Sequence, residues 1–280
     1  MRFFLLLAAA LPPVAMSCRA ATVHPPDPKE IVQRSVLAIE ADWSLAPGYS
    51  FQERDVESKH DAPSTVRTYE VVMLDGAPYN RLIAIDDRPL SAGDQAEEAR
   101  KLRVETFKRQ HESNRERSKR IAKYEKERRR DHAMLMDMVD AFDFQLVGAE
   151  TVNGHACWVL DARPKRGYQP KDRETKVLAG MRGQLWVDQG QYQWVRVKAE
   201  VFKPVNFFGF IAKVGPGTSI LLEQEPIADN LWLPKRFSMH VKASALGFLD
   251  ESSTDDETYR EYKLIPKTSA GLSSLPSRDH

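Results

Sequence analysis

Cysteine is nearly absent from this 280-residue chain, which contains only Cys18 and Cys157. If an N-terminal segment including Cys18 is removed, one cysteine cannot form an internal disulfide, so stability must come from packing. Long apolar runs are also missing beyond the N-terminus, and a membrane helix needs about 20 such residues. The sequence contains no glycine-rich phosphate loop, H-E-x-x-H or G-x-S-x-G motif, which disfavours several large enzyme classes.

Residues with catalytic chemistry are scattered along the chain. The seven histidines show no metal-ligand spacing, and the pattern around Cys157 favours a small buried residue over a reactive thiol. The 41 basic and 40 acidic residues balance, so no nucleic-acid partner is expected. We therefore predict no catalytic residue, no metal site and no cofactor. A hydrolase has only scattered carboxylates in its favour, and we expect that the protein is not an enzyme.

The first twenty residues have the layout of an export signal. Arg2 precedes an apolar run from Phe3 to Leu11, and prolines and small residues follow. Ala15-Met16-Ser17-Cys18 resembles a degenerate lipobox, in which case Cys18 becomes a lipidated first residue. Alternatively, Cys18-Arg19-Ala20 offers a small-x-small site for ordinary signal peptidase. Residues 1–20 are thus predicted to be a signal peptide, and the protein is exported and either free or anchored to a membrane through Cys18.

Two parts of the chain have helical patterns. Asp27 and Pro28 provide an N-cap and a first helical residue, and apolar residues then recur at helical spacing as far as about Trp43. Residues 91–142 lack proline and are rich in Glu, Ala, Lys and Arg, which predicts two helices or one long broken helix. The basic run 115–130 is typical either of a solvated helix with i,i+4 ion pairs or of a surface that attracts anionic headgroups.

Strand patterns occupy most of the remaining sequence. Asp75-Gly76 and Asn153-Gly154 are strong hairpin turns, and closely spaced strands after Phe144 predict an antiparallel meander. We interpret Asp250 to Glu257 as an acidic turn. The prediction is a single β domain over residues 21–265, with a helical insertion at about 91–142 and a flexible tail at 266–280.

Alternation within two strands predicts one dry face. It includes Val195, Val197 and Val201 on one strand and Phe237, Met239 and Val241 on the other. Because few helical segments have an apolar stripe, we expect the sheet to leave a hollow of several hundred Å³, roughly the size of a ligand pocket. The alternative is that the same residues form an ordinary packed core beneath the helices.

Three segments together resemble a known family: Gly183-Gln184-Leu185-Trp186-Val187-Asp188, then Trp194-Val195-Arg196-Val197, then Leu231-Trp232-Leu233-Pro234. This run is similar to a pattern in the LolA/LolB-like superfamily of periplasmic lipoprotein carriers and outer-membrane lipoprotein-sorting proteins. The resemblance implies a mainly β (α+β) fold: a long curved antiparallel sheet or unclosed β-barrel with an N-terminal covering helix. The charged helical insertion at 91–142 departs from that pattern.

The resemblance also implies a function. Members hold lipid or lipoprotein acyl chains in an apolar cavity, without a cofactor, in the periplasm. The expected partners are a lipid or a lipidated protein, with possible contact to a membrane surface. The alternative hypothesis is a structural or scaffold lipoprotein of the envelope that binds a protein partner through its charged insertion.

Overall fold

The computed structural model describes residues 26–59, 63–171, 174–206, 212–245, 249–250 and 252–266. The predicted signal peptide and nearly all of the predicted tail lie outside these residues. The helices are α1 (Pro28–Leu45), α2 (Ala92–His111) and α3 (Asn114–Ala141), with short 3-10 helices at Ala46–Gly48 and Glu174–Gly180. The strands are β1 (Tyr49–Lys59), β2 (Thr65–Leu74), β3 (Ala77–Ile85), β4 (Arg88–Pro89), β5 (Phe142–Val152), β6 (His155–Pro164), β7 (Met181–Asp188), β8 (Trp194–Val201), β9 (Val205–Asn206), β10 (Ala212–Val214), β11 (Ser219–Ala228), β12 (Leu231–Val241), β13 (Ala243–Ala245), β14 (Leu249–Asp250) and β15 (Ser253–Leu264).

The predicted helices are confirmed, and their ends follow from local capping chemistry. The side chain of Asp27 accepts a hydrogen bond from the backbone N–H of Lys29 at the start of α1. Ser91 accepts from the N–H of Asp94 at the start of α2. Ser113 and Glu116 form a capping box that begins α3, so the insertion consists of two separately capped helices.

One antiparallel sheet dominates the described part of the chain. Its eleven strands lie in the order β4-β3-β2-β1-β15-β12-β11-β8-β7-β6-β5, and the sheet does not close. The two predicted hairpins at Asp75-Gly76 and Asn153-Gly154 are present, joining β2 to β3 and β5 to β6. A second sheet of four short strands, β14-β13-β10-β9, contains residues 205–206, 212–214, 243–245 and 249–250. The expected mainly β, unclosed antiparallel architecture with helices is therefore confirmed.

The large sheet has two faces, which we name by what lies on them. The helix face packs against α1: Ile31, Val32 and Ile39 form a core with Leu160 and Leu185. On the opposite, open face a second core lies near one end of the strands; its members are Val152, Cys157, Val159, Trp186, Val195 and Trp232. Cys157 is fully buried, as its sequence pattern predicts.

One prediction about the acidic segments is wrong, and one acidic strand was not predicted. The segment from Ser253 to Glu257 is not a turn, because β15 begins at Ser253 and pairs with both β1 and β12. No strand was predicted at residues 49–59, where β1 forms. Both strands contain runs of charged residues, Glu53-Arg54-Asp55 and Asp255-Asp256-Glu257, and so lack the apolar alternation of a strand. They are strands because each finds hydrogen-bonding partners far away in the sequence.

The helices of the insertion contain few apolar residues. No helix in the described ranges has the length and apolar character needed to cross a membrane.

Candidate functional site

A continuous apolar strip lies on the helix face where β8, β11 and β12 are adjacent. In one row Val197, Leu222 and Phe237 are cross-strand partners, and in the next row Ala199, Ile220 and Met239 are partners. Such in-register partners on one face are close enough to pack against each other. We name these six residues, together with Val201 and Val241, the apolar strip. Leu222, Ile220, Phe237, Met239 and Val241 are all only half-buried.

The structure brings together five of the six predicted cavity residues. Val197, Val201, Phe237, Met239 and Val241 share the helix face, although Val201 is already buried against Leu178 and Met181. The assignment of Val195 to that face is wrong. Its place is taken by Trp194, whose indole Nε1 donates to Ser35 Oγ of α1 at 3.1 Å.

A β-bulge explains the exchange. Trp186 pairs with Arg196 and Val187 pairs with Trp194, so Val195 is an extra residue in β8. A single inserted residue reverses the alternation on one side of it. Val195 therefore lies in the open-face core with Trp186 and Trp232, and strict period-two reasoning holds only from Arg196 onward.

Helix α3 runs from one side of the sheet to the other across the helix face. Near its start Arg120 Nη1 donates to the carbonyl of Asp75 in the β2–β3 turn, at 3.0 Å. At its end Met138 and Val139 pack on the core of α1 and β5–β8. With 28 residues, α3 is about 42 Å long, enough to span several strands.

The middle of α3 is fastened to the C-terminal end of α1. Arg128 Nη2 donates to the carbonyl of Trp43 at 2.5 Å, and its guanidinium lies 4.3 Å from the centroid of the Trp43 ring. His132 stacks on the same indole at 4.7 Å. A cation at the C-terminal end of a helix also interacts favourably with the helix dipole. These contacts hold α3 above the helix face.

An acidic strip continues the same face beyond β12. Glu257 of β15 lies between Phe237 of β12 and Asp55 of β1, and Asp255 lies beside Met239. With Glu53 these residues make a group of four half-buried carboxylates, which we name the acidic strip. Like charges directly opposite each other destabilise a sheet, so the acidic strip lowers the stability of the folded protein.

Burial and mutual repulsion raise the pKa values of these carboxyls. The pKa of Glu53 rises to about 7, chiefly through burial and then through the charges of Glu257, Asp55 and Asp255. Burial, together with a hydrogen bond and repulsion involving Asp255, raises the pKa of Asp55 to about 6. Burial also raises the pKa of Glu257, which accepts a hydrogen bond from the Tyr259 hydroxyl.

The acidic strip was not predicted, although the sequence contains a signal for it. In β1 the residues Phe51, Glu53 and Asp55 follow each other at period two, as do Asp255, Glu257 and Tyr259 in β15. The same alternation that predicts apolar faces could have placed these acids on one side of two strands. The charged composition was instead interpreted as a turn.

The apolar pocket that is enclosed beneath the end of α3 has a volume of only about 40 Å³. Among the predicted cavity residues, Val197 contributes to its lining, together with Met138, Phe144 and Leu185. A larger groove of about 540 Å³ lies over β6–β8, β11 and β12 and is lined by both polar and apolar residues. There Arg182 pairs with Glu200, and Gln184 donates to Asp161 at 2.9 Å.

The described part of the chain shows no arrangement of three or more His, Cys, Asp or Glu side chains that could hold a metal ion. Burial, together with the nearby charge of Asp188, raises the pKa of the Cys157 thiol to about 11. Since the thiolate is the reactive form, this cysteine is a poor nucleophile. The strongest features of the site are therefore shape, apolar surface and charge.

No family model matches the chain, and no curated protein matches it. Solved structures that align with it include a LolA superfamily protein from Nitrosomonas europaea, with 12% identity over 89% of this chain and 99% of that chain and a TM-score of 0.34. A putative outer membrane lipoprotein-sorting protein domain from Vibrio parahaemolyticus has 10% identity over 86% and 94%, with a TM-score of 0.36. The Pseudomonas aeruginosa MucA/MucB complex provides another, with 10% identity over 86% and 100% and a TM-score of 0.23. These structures include members of the superfamily that the sequence motifs resemble, but no ligand or partner is carried over from them at such scores.

Proposed function

We propose that this protein is an exported, non-catalytic binding protein that holds the acyl chain of a lipid or of a lipidated protein along the apolar strip. One observation supports the proposal above others. Eight apolar residues lie together on the face that α1 and α3 cover, yet seven of them remain half-buried. Completing the burial of a half-buried side chain such as Phe237 or Met239 is worth about 1 kcal/mol, which a bound chain would supply.

The acidic strip defines where such a chain would end. A carboxylate is costly to cover with hydrocarbon, so the ligand is confined to β8, β11 and β12 and does not extend over β15 and β1. The small enclosed volume has a further consequence. Because usual ligand pockets measure roughly 300–1,000 Å³, α3 must move away from the sheet when an acyl chain enters.

The alternative function, a scaffold that binds a protein through its charged insertion, is favoured by the same small volume. It requires no ligand on the apolar strip and no movement of α3. The two hypotheses therefore differ in whether the purified protein contains a lipid and in whether a substitution within the apolar strip abolishes lipid binding.

A pair of adjacent substitutions on β12 tests the proposal. Met239→Lys places a charge in the apolar strip, whereas Ser238→Lys places one on the opposite face of the same strand. Strand β12 is central in the sheet, so neither change lies at a sheet edge. We expect native protein and Ser238→Lys to take up a fluorescent fatty acid, and Met239→Lys to lose at least about tenfold in affinity, since a desolvated charge costs several kcal/mol.

Native mass spectrometry of protein purified from its host provides a second measurement. We expect a mass increment that corresponds to a lipid. A ligand-free mass together with no fatty-acid uptake by the native protein contradicts the proposal and favours the scaffold hypothesis. Circular dichroism of both variants establishes that a lost affinity does not reflect a lost fold.

A further inference from the structure

The outward side of α3 presents a stripe of positive charge. Arg115, Lys119, Lys126 and Arg129 follow each other at spacings of four, seven and three residues, which places them on one side of a helix. All four are exposed. The stripe extends over about 21 Å at 1.5 Å per residue. We refer to these four residues as the basic stripe.

The carboxylates of α3 do not neutralise the stripe. Glu116 serves in the capping box with Ser113, Glu125 lies beside Arg128, and Glu127 lies beside Lys123. Throughout the residues that the structure describes, none of the four stripe cations forms an ion pair. Residues 115–130 contain nine cationic and three acidic side chains, although the whole chain has a formal net charge of only +1. The stripe is therefore a local concentration of charge.

The other side of α3 holds the stripe in place. Ile121, Tyr124 and Arg128 lie toward the molecule, and Arg120 and Arg128 bond to backbone carbonyls of the β2–β3 turn and of α1. Because the helix is anchored through this inner side, the outward cations are displayed in a fixed row. When a partner binds, the backbone of the helix therefore needs no ordering, and only freedom of the cation side chains is lost.

We infer that the basic stripe is a docking surface for an anionic lipid bilayer. The stripe is straight and convex, and it has four separate charges without a shared pocket. Recognition of a specific carboxylate or phosphate uses convergent donors, whereas a plane of anionic headgroups suits a row of independent cations. Docking in this orientation places the outer side of α3 on the membrane and the apolar strip beneath its inner side. The inference stands without the proposed function, and together they describe lipid exchange at a membrane surface.

Vesicle co-sedimentation tests the inference on the full mature chain. The probes are vesicles of phosphatidylglycerol and phosphatidylcholine in about equal parts and vesicles of phosphatidylcholine alone. We expect binding to the anionic vesicles only, and a strong decrease when salt is raised from about 0.1 M to about 0.5 M. Changing Arg115, Lys119, Lys126 and Arg129 to Gln should weaken binding by about fivefold for each charge, or several hundredfold in total.

A matched control removes the same number of exposed cations elsewhere. The variant with Lys29, Arg88, Lys176 and Lys203 changed to Gln should bind anionic vesicles within about fivefold of the native protein, because dispersed charges do not act together. Equal losses in the two variants indicate a general charge effect and overturn the inference. Absence of binding by the native protein also overturns it, and binding of the stripe to an acidic protein instead would then be the surviving explanation.

Fatty-acid uptake separates this inference from the proposed function. The stripe variant should retain uptake, and Met239→Lys should retain vesicle binding. If the native protein binds anionic vesicles but takes up no fatty acid, the proposed function has failed. If it takes up fatty acid but does not bind the vesicles, the docking inference has failed.

Discussion

Replacing Glu53 with Gln should stabilise the protein at alkaline pH and leave it nearly unchanged at acidic pH. Glu53 lies on the helix face within the acidic strip, and its pKa rises from 4.5 to about 7 on folding. Between these two values the folded state binds the proton more tightly than the unfolded state. The free energy of unfolding therefore decreases as pH rises through this window and becomes level above it.

The magnitude follows from the size of the pKa change. At about 1.4 kcal/mol for each pH unit, the raised pKa of Glu53 corresponds to at most about 3 kcal/mol. Because the side chain is only half-buried, solvent screening reduces this figure to about 2 kcal/mol. The pKa values of Asp55 and Glu257 are also raised, so these two groups likewise decrease the free energy of unfolding as pH rises.

Urea unfolding at about pH 4, below the unfolded pKa of Glu53, and at about pH 8.5 measures the effect. At the higher pH, Glu53→Gln should exceed the native protein by about 2 kcal/mol, whereas at the lower pH the two should agree within about 0.5 kcal/mol. Glu200→Gln, an exposed carboxylate on the open face, is the control and should change stability by less than about 0.5 kcal/mol at both pH values. If Glu53→Gln is as sensitive to pH as the native protein, the burial argument for the acidic strip is refuted.

Three further predictions concern the scaffold. Gly183→Ala should lower the free energy of unfolding by about 2–3 kcal/mol, because the new Cβ would lie 2.3 Å from the carbonyl oxygen of Lys198. Gly148 has open space around it, so Gly148→Ala should change the free energy of unfolding by less than about 1 kcal/mol. Equal effects of the two changes in urea unfolding would contradict the packing argument. Arg109→Ala should cost about 3 kcal/mol and increase amide exchange in α2, since the buried guanidinium donates to the carbonyls of Leu74 and Ala77; unchanged exchange would show that α2 is held by other contacts. The thiol of Cys157, with a pKa of about 11, should react with a thiol reagent at about pH 8 only in denaturant, and rapid labelling of the folded protein would be inconsistent with its burial.

Local signals in the sequence were sufficient for the helices and the tight hairpins. The cap at Asp27, the composition of residues 91–142 and the Asp-Gly and Asn-Gly turns each act over a few residues, and each is found as predicted. These features depend on chemistry between near neighbours, which a sequence displays directly.

Features that depend on distant partners were missed. Strand β1 has the segment Glu53-Arg54-Asp55, which shows no apolar alternation, and it is a strand because β2 and β15 complete its hydrogen bonds. The bulge at Val195 arises from the mismatch between β7 and β8, and it moves one predicted cavity residue to the other face. Neither pairing nor register mismatch can be derived from one strand by itself.

The position of β15 in the sheet has a consequence for how the chain reaches its folded state. The strands β1–β4 join the other seven only through β15, the last strand in sequence, and β1 ends at Lys59 whereas β15 begins at Ser253. A chain that is synthesised from its N-terminus must therefore keep two incomplete sheets unjoined until its final segment arrives. Closing so long a loop is entropically expensive and slow, and the exposed edges of β1 and β12 are open to mispairing during that interval. Assembly of this protein should thus depend on holding chaperones more than its final stability would suggest.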